Sequence, residues 1–206
     1  MLIKTLPVGQ LETNCYIVTD EASLKCVVID PGADSNTILD YIESNHLAVE
    51  AIFLTHGHFD HTTAVSSVNK AANATVWINE QDCNYGNKHD SLKFRADVNT
   101  TRFYSEGDII NVGNLFFTVM ETPGHSAGSV SIMCENALFT GDTLFKDSCG
   151  RTDLAGGDMG SLLRSLLRLY NLEGDFEVYP GHAEVTSLDY ERNFNYYMKY
   201  AKNELE

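Results

Sequence analysis

The sequence predicts an α/β fold of four layers, two packed β-sheets with helices on their outer faces. Three observations predict it. Short apolar runs of strand length recur in both halves of the chain, each leading into a polar loop. In each half strands come first and a helix follows, the order expected of sheets covered on one side by helices. The clearest helix, 159–170, places Met159, Leu162, Leu163, Leu166, Leu167 and Tyr170 on one stripe, suited to lying on a sheet.

Taken in order, strands are expected near 2–6, 14–19, 25–30, 51–54, 75–78, 115–122, 128–133, 137–141 and 176–179. Helices are expected near 35–45, 62–73, 159–170 and 188–203. The first helix has its cap near Asp34 and closes at His46, where a partly charged imidazole suits the C-terminal dipole. The last is amphipathic through Tyr190, Phe194, Tyr197, Met198 and Ala201. Trp77, on a strand, reads as packing. The polar stretch Asn84–Thr101 lacks periodicity and reads equally as a loop beside a site or a surface excursion, with His89 solvated in it.

At 206 residues and 43% apolar composition, the chain suits one α/β domain spanning 1–206. The amino end is too quickly broken by Pro7 for a signal peptide, and no apolar stretch is long enough for a membrane span. Cys15, Cys26, Cys83, Cys134 and Cys149 are odd in number and scattered, which suits reduced thiols and a cytoplasmic location. Asp and Glu total 29 against 14 Lys and Arg, a net charge of −15. Such a balance repels polyanions, so nucleic acid is not an expected partner. A small anionic substrate stays compatible, because metals and a few cations can make one cleft positive.

The chemistry gathers after the strands. Ala51-Ile52-Phe53-Leu54 leads into Thr55-His56-Gly57-His58-Phe59-Asp60-His61, and Gly57 lets alternate side chains converge. Three imidazoles and a carboxylate exceed what one tetrahedral ion needs, so two metals are the natural reading. The pattern repeats at Pro123-Gly124-His125, Gly141-Asp142 and Pro180-Gly181-His182. One such histidine alone would be an ordinary turn residue; five with two aspartates form an N and O donor set for zinc, with iron or manganese also compatible.

These residues resemble the metallo-β-lactamase-fold superfamily and, within it, the short hydrolases of the glyoxalase II (hydroxyacylglutathione hydrolase) type. The resemblance runs from Leu6-Pro7-Val8-Gly9 and Thr13-Asn14-Cys15-Tyr16 through Val28-Ile29-Asp30-Pro31-Gly32, Thr55–His61, Thr122–His125 and Thr140–Phe145. Gly150-Arg151-Thr152-Asp153, Pro180–His182 and Asp189–Asn193 complete it. It implies one metal on His56, His58 and His125, a second on Asp60, His61 and His182, and Asp142 bridging both. Many lactam-cleaving relatives carry cysteine where Asp142 stands or lack the bridge, so a lactamase is disfavoured. Longer glyoxalase II enzymes carry a C-terminal helical extension that grips glutathione; this chain ends soon after Asn193, so the thiol stays open. The resemblance also puts Lys146, Cys149, Gly150 and Arg151 in the pocket wall. Arg151 suits either a substrate carboxylate or a pair with Asp153, and Cys149 reads as structural.

The implied activity is hydrolysis of a small, anionic thioester. A hydroxide bridging the metals and oriented by Asp60 attacks the acyl carbonyl. The main alternative is a persulfide dioxygenase with one Fe(II) on His56, His125 and Asp142. A lactonase or other esterase, a nuclease, and metal binding without catalysis are further readings, the nuclease opposed by the acidic balance.

Overall fold

Side-chain alternation along the strands sets the layers. The structure, a computed structural model, describes residues 1–86 and 101–205. One six-stranded sheet places β1 (Leu2–Val8), β2 (Thr13–Asp20), β3 (Lys25–Ile29), β4 (Ala48–Phe53), β5 (Thr75–Asn79) and β6 (Thr101–Tyr104) in that spatial order. β1 to β3 are antiparallel and β3 to β6 parallel. The parallel part needs crossovers, which carry α1 (Ser35–Ser44), then α2 (Phe59–Thr62) with α3 (Val65–Ala72), and α4 (Glu80–Gly86).

After them come β7 (Ile109–Val112), β8 (Leu115–Glu121), β9 (Val130–Cys134) and β10 (Ala137–Gly141). The ribbon β11 (Leu144–Phe145) and β12 (Ser148–Cys149), α5 (Met159–Tyr170), β13 (Glu177–Pro180), β14 (Thr186–Ser187), α6 (Leu188–Phe194) and α7 (Tyr196–Leu205) follow. The second six-stranded sheet is ordered β14-β13-β10-β9-β8-β7, with β10 and β13 parallel across α5.

In β2, Cys15 and Ile17 pack on the helix side while Tyr16 and Val18 pack between the sheets. A strand buried on both faces requires apolar layers on both sides. β3 and β4 repeat the split, Val28 and Ile52 under α1 and α3, Val27 and Phe53 between the sheets. Phe53 meets Phe117 edge-on across the gap, ring centroids 5.2 Å apart. Beyond the second sheet, Leu162, Leu166 and Leu169 of α5 close the fourth layer with Leu138, Val178 and Met198. The four-layer αββα sandwich is as the sequence predicts. Trp77 stacks on Tyr104 between the layers, 6.1 Å between centroids, as packing.

Several elements differ from expectation. The expected last helix is two: Asn195 is extended at φ −66°, ψ 121°. Its Oδ1 accepts from the Tyr197 and Met198 amides at 2.9 and 3.2 Å, and its Nδ2 donates to Ser148 O and Glu191 Oε2. A side chain that caps the next helix overrides an apolar period running straight through it. The expected helix 62–73 is likewise α2 and α3, the Ala64 amide being drawn to Pro31 O at 3.0 Å. Asp34 stands at the head of α1, but its carboxylate accepts from the Gly9 amide rather than capping the helix. His46 lies just past α1, exposed, at φ 55°. β6, β7, β14 and the ribbon are too short to leave a periodic signal. Of the stretch Asn84–Thr101, residues 84–86 end α4 and Thr101 begins β6; residues 87–100, with His89, lie outside the described residues. Among the described residues no helix is long and apolar enough to cross a membrane.

Candidate metal centre

Four strand ends meet at one edge of the sandwich. The segment after β4 carries His56 and His58 and runs into α2 with Asp60 and His61; those after β8, β10 and β13 carry His125, Asp142 and His182. Backbone bonds stitch these ends together: the Val130 amide donates to Thr55 O and the Gly181 amide to Gly141 O, each at 2.8 Å. Gly141 adopts φ 48°, and a Cβ there would stand 2.3 Å from Thr55 Oγ1. A Cβ at Gly181 would stand 2.3 Å from Asp142 Oδ1 and 2.7 Å from His61 Cε1. The glycine before each of these ligand candidates is therefore a requirement of close packing.

The seven side chains that the sequence singles out fall into one cluster. His56, His58 and His125 offer donor atoms within 4.8 Å of one another, and so do Asp60, His61 and His182. His58 Nδ1 lies 2.8 Å from His125 Nε2. Asp142 stands between the groups, Oδ1 at 3.4 Å from His61 Nε2 and Oδ2 at 3.4 Å from His125 Nε2 and 3.7 Å from His182 Nε2. His56 Nε2, His58 Nε2, His61 Nε2 and Asp142 Oδ1 are buried without a hydrogen-bond partner. Orphaned buried polar atoms are costly, and four of them gathered around one point fit a cationic occupant. The donor set fits divalent metal.

An outer ring of partners, most of them missed by sequence reasoning, fixes the ring orientations. Asp30, itself at φ 49°, accepts from the Thr55 amide at 2.8 Å, the Thr55 hydroxyl at 2.6 Å and His61 Nδ1 at 2.9 Å. The Asp30 oxygens are thus occupied, which leaves Nε2 of His61 facing inward. His125 Nδ1 faces Arg151 O at 2.7 Å and His182 Nδ1 faces Leu11 O at 3.1 Å. Asp82, 1% exposed, accepts from the Gly57 amide and the Ser126 hydroxyl at 2.7 Å and from the Gly128 amide at 2.6 Å. One carboxylate thereby ties the His56–His58 turn to the loop of His125. Asp82 had no signal in the sequence, lying in a polar segment with no motif.

The Thr13–Tyr16 segment does comparable work from β2. The Thr13 hydroxyl donates to Asp60 Oδ2 at 3.2 Å, Asn14 Nδ2 donates to Pro180 O and Ala183 O, and the Tyr16 hydroxyl donates to Pro180 O at 2.6 Å. β2 therefore anchors the turn that presents His182.

Burial, with neighbouring imidazoles, holds His56 well below the usual histidine range and pushes His58 down to about 4. Both are neutral near pH 7, the form that ligates metal. Burial opposes charge on His61 and His182 too, yet Asp142 and Asp30 raise the former and Asp60 raises the latter. The carboxyls of Asp60 and Asp142 lie below their ordinary value, burial being outweighed by His182 and His61 respectively.

A family model for the Metallo-beta-lactamase superfamily matches residues 8–182. The chain belongs to this superfamily. Members are typically metal-dependent hydrolases, in accord with the donor cluster. The chain is 36% identical over 204 residues to an uncharacterized protein of Aquifex aeolicus (strain VF5), covering 95% of this chain and 96% of that one. It is 33% identical to YqgX, a probable metallo-hydrolase of Bacillus subtilis (strain 168), over 93% of this chain and 95% of the relative. It is 28% identical to hydroxyacylglutathione hydrolase GloC of Haemophilus influenzae, over 95% and 97%. Among solved structures, BLEG-1 B3 metallo-beta-lactamase superposes with a TM-score of 0.87 at 32% identity, covering 96% of this chain and 99% of that one. TTHA1623 in a di-iron-bound form gives 0.83 at 33% identity over 94% and 99%, and ETHE1 from Myxococcus xanthus 0.81 at 30% over 98% and 91%.

In this superfamily member His58, Asp60, His125, Asp142 and His182 line a cleft of about 590 Å³, with Leu11, Phe59, Phe145, Ser148 and Leu154 among its walls. Of the expected substrate contacts, Cys149 and Arg151 line it. Arg151 is held by Asp153, Nε to Oδ1 at 2.6 Å and Nη2 to Oδ2 at 2.7 Å. Burial pushes the Cys149 thiol up to about 12, so it is no thiolate at neutral pH. Gly150 packs against the Asp142 backbone, where a Cβ would stand 1.8 Å from the carbonyl oxygen. Lys146 is outside the lining and pairs with Glu184 at 2.5 Å.

Proposed function

We propose that this superfamily member is a dinuclear metal-dependent hydrolase of a small thioester. The observation that carries the reading is the pair of donor groups on either side of Asp142, with four buried atoms left without hydrogen bonds. His56, His58 and His125 would hold one divalent ion and Asp60, His61 and His182 the other, with Asp142 between them; zinc and iron both suit these donors. When bound, such ions lower the pKa of water to about 7 and polarise a carbonyl oxygen.

The chain's own residues supply placement. Asp60, steadied by the Thr13 hydroxyl, faces the cleft and accepts the hydrogen bond of an attacking water. Phe59, Phe145 and Leu154 give the acyl carbon an apolar wall. Attack breaks the C–S bond, and the thiolate leaves without a dedicated acid. The relative GloC, a hydroxyacylglutathione hydrolase, supports the thioester class. Free cysteines at all five positions support a reducing compartment such as the cytoplasm.

The competing reading, a mononuclear iron dioxygenase on His56, His125 and Asp142, leaves the orphaned Nε2 of His61 unexplained. Elemental analysis of protein purified without added metal or chelator, followed by a panel of thioesters, a lactone and a β-lactam, tests the proposal. Two metals per chain with thioester cleavage support it. One iron per chain, with oxygen uptake on glutathione persulfide, overturns it.

A further inference from the structure

A second chamber of about 430 Å³ adjoins the metal cleft, between the β1–β2 turn, the turn after β3 and the start of α2. Val8, Leu11, Ala33 and Phe59 supply its apolar wall. Leu11, Phe59 and Asp60 line both spaces, so the chamber opens beside the candidate reacting centre. Leu11 is 53% and Phe59 54% exposed, two large apolar side chains left half in water on the partition between the cavities. Apolar surface held open at the edge of a polar cluster is what a small-ligand site offers. Phe59 sits between His58 and Asp60 in the chain, so a group resting on its ring is held at a set offset from the donors.

Charge offers little for recognising that part of a ligand. Among the described residues Arg151 is the only lysine or arginine lining either chamber, and Asp153 holds it through two hydrogen bonds. The chain as a whole carries −15. An anionic arm therefore meets Asp60 and no lysine or arginine among the described residues of the second chamber, whereas an uncharged arm gains from leaving water.

We propose that the second chamber binds an uncharged, apolar arm of the substrate, so that the protein selects small thioesters with a short aliphatic or aromatic chain over those with a charged one. This rests on the hydrolase reading above. The arm belongs to either the acyl or the thiol side of the ester. Two neutral series separate them: acetyl to octanoyl esters of N-acetylcysteamine, and S-acetyl esters of alkyl thiols of increasing length.

In the metal-loaded protein, kcat/KM is expected to rise by about fourfold per methylene in one series and then level as the chamber fills. Ala33→Leu and Thr63→Leu intrude from different segments of the wall, so misfolding of one leaves the other to be read. In each, the ratio of longest to shortest substrate should fall to within about twofold of unity. A flat response in both series, an unchanged ratio in folded variants, or a preference for the glutathione ester over the neutral ester of the same acyl group overturns the proposal.

If no thioester of any length is cleaved, the hydrolase reading fails, and the chamber is judged by binding alone. N-phenyl-1-naphthylamine should then give a saturable fluorescence gain with the wild-type protein, weakened about tenfold in both variants. No gain, or an equal gain in all three proteins, overturns the chamber itself.

Discussion

His61 and His182 reach the same carboxylate from different sheets: His182 Nε2 lies 3.2 Å and His61 Nε2 3.6 Å from Asp60 Oδ2. Replacing either by alanine should leave one metal per chain in place of two and cut hydrolysis by about two orders of magnitude or more, read by elemental analysis and turnover. Near wild-type turnover with a single metal would sink the dinuclear reading. Asp82 touches no donor atom of the cluster, yet it gathers three donors from the turns that carry His56, His58 and His125. Asp82→Asn keeps one accepting oxygen and turns an amide nitrogen towards the backbone N–H of either Gly57 or Gly128. Chelator competition should report metal affinity about 10- to 100-fold weaker, and unchanged affinity would reduce Asp82 to a packing residue. The donors themselves were legible in the sequence because glycine-bracketed His and Asp after apolar runs form a local pattern. Asp82 and Asp30 were not legible as site residues, since each acts through partners distant in the chain.

At the scale of elements, strands buried on both faces and the leucine stripe of α5 were readable because they express a regular period over many residues. The break between α6 and α7 was not, because Asn195 acts through carbonyls of Phe145 and Ser148 on another segment. Asn195→Ala removes the cap of α7 and its bonds to the β11–β12 ribbon. The expected cost is about 2–3 kcal/mol, seen as a fall in Tm of roughly 4–12 °C. A change under one degree would mean that the apolar face of the two helices, and not Asn195, holds them in place.

Across the whole molecule, buried thiols tie the fold to pH. Burial pushes Cys26, Cys134 and Cys149 up to about 12, above the roughly 8.5 of an unfolded thiol. A raised pKa contributes stability that is fully present below the unfolded value and lost as pH rises through the folded one. Urea midpoints should therefore hold from pH 7 to about 8.5 and decline towards pH 12. Replacing Cys26 and Cys134 by alanine should flatten that decline, and an equal decline in the double variant would place its cause elsewhere. Iodoacetamide should modify these thiols slowly at pH 8 in the native protein.

The sequence by itself determined the layer architecture, the superfamily and the set of candidate metal donors. Those features rest on local periodicity and on the glycines before His58, His125, Asp142 and His182, and both are written in adjacent residues. Tertiary structure decided which candidate donors stand near Asp142, which carboxylates hold their rings, and that Lys146 points to Glu184 rather than into the cleft. It also decided that a second chamber opens beside the first. These depend on which chain segments meet at the sheet edge, a matter of through-space packing between residues up to 171 positions apart.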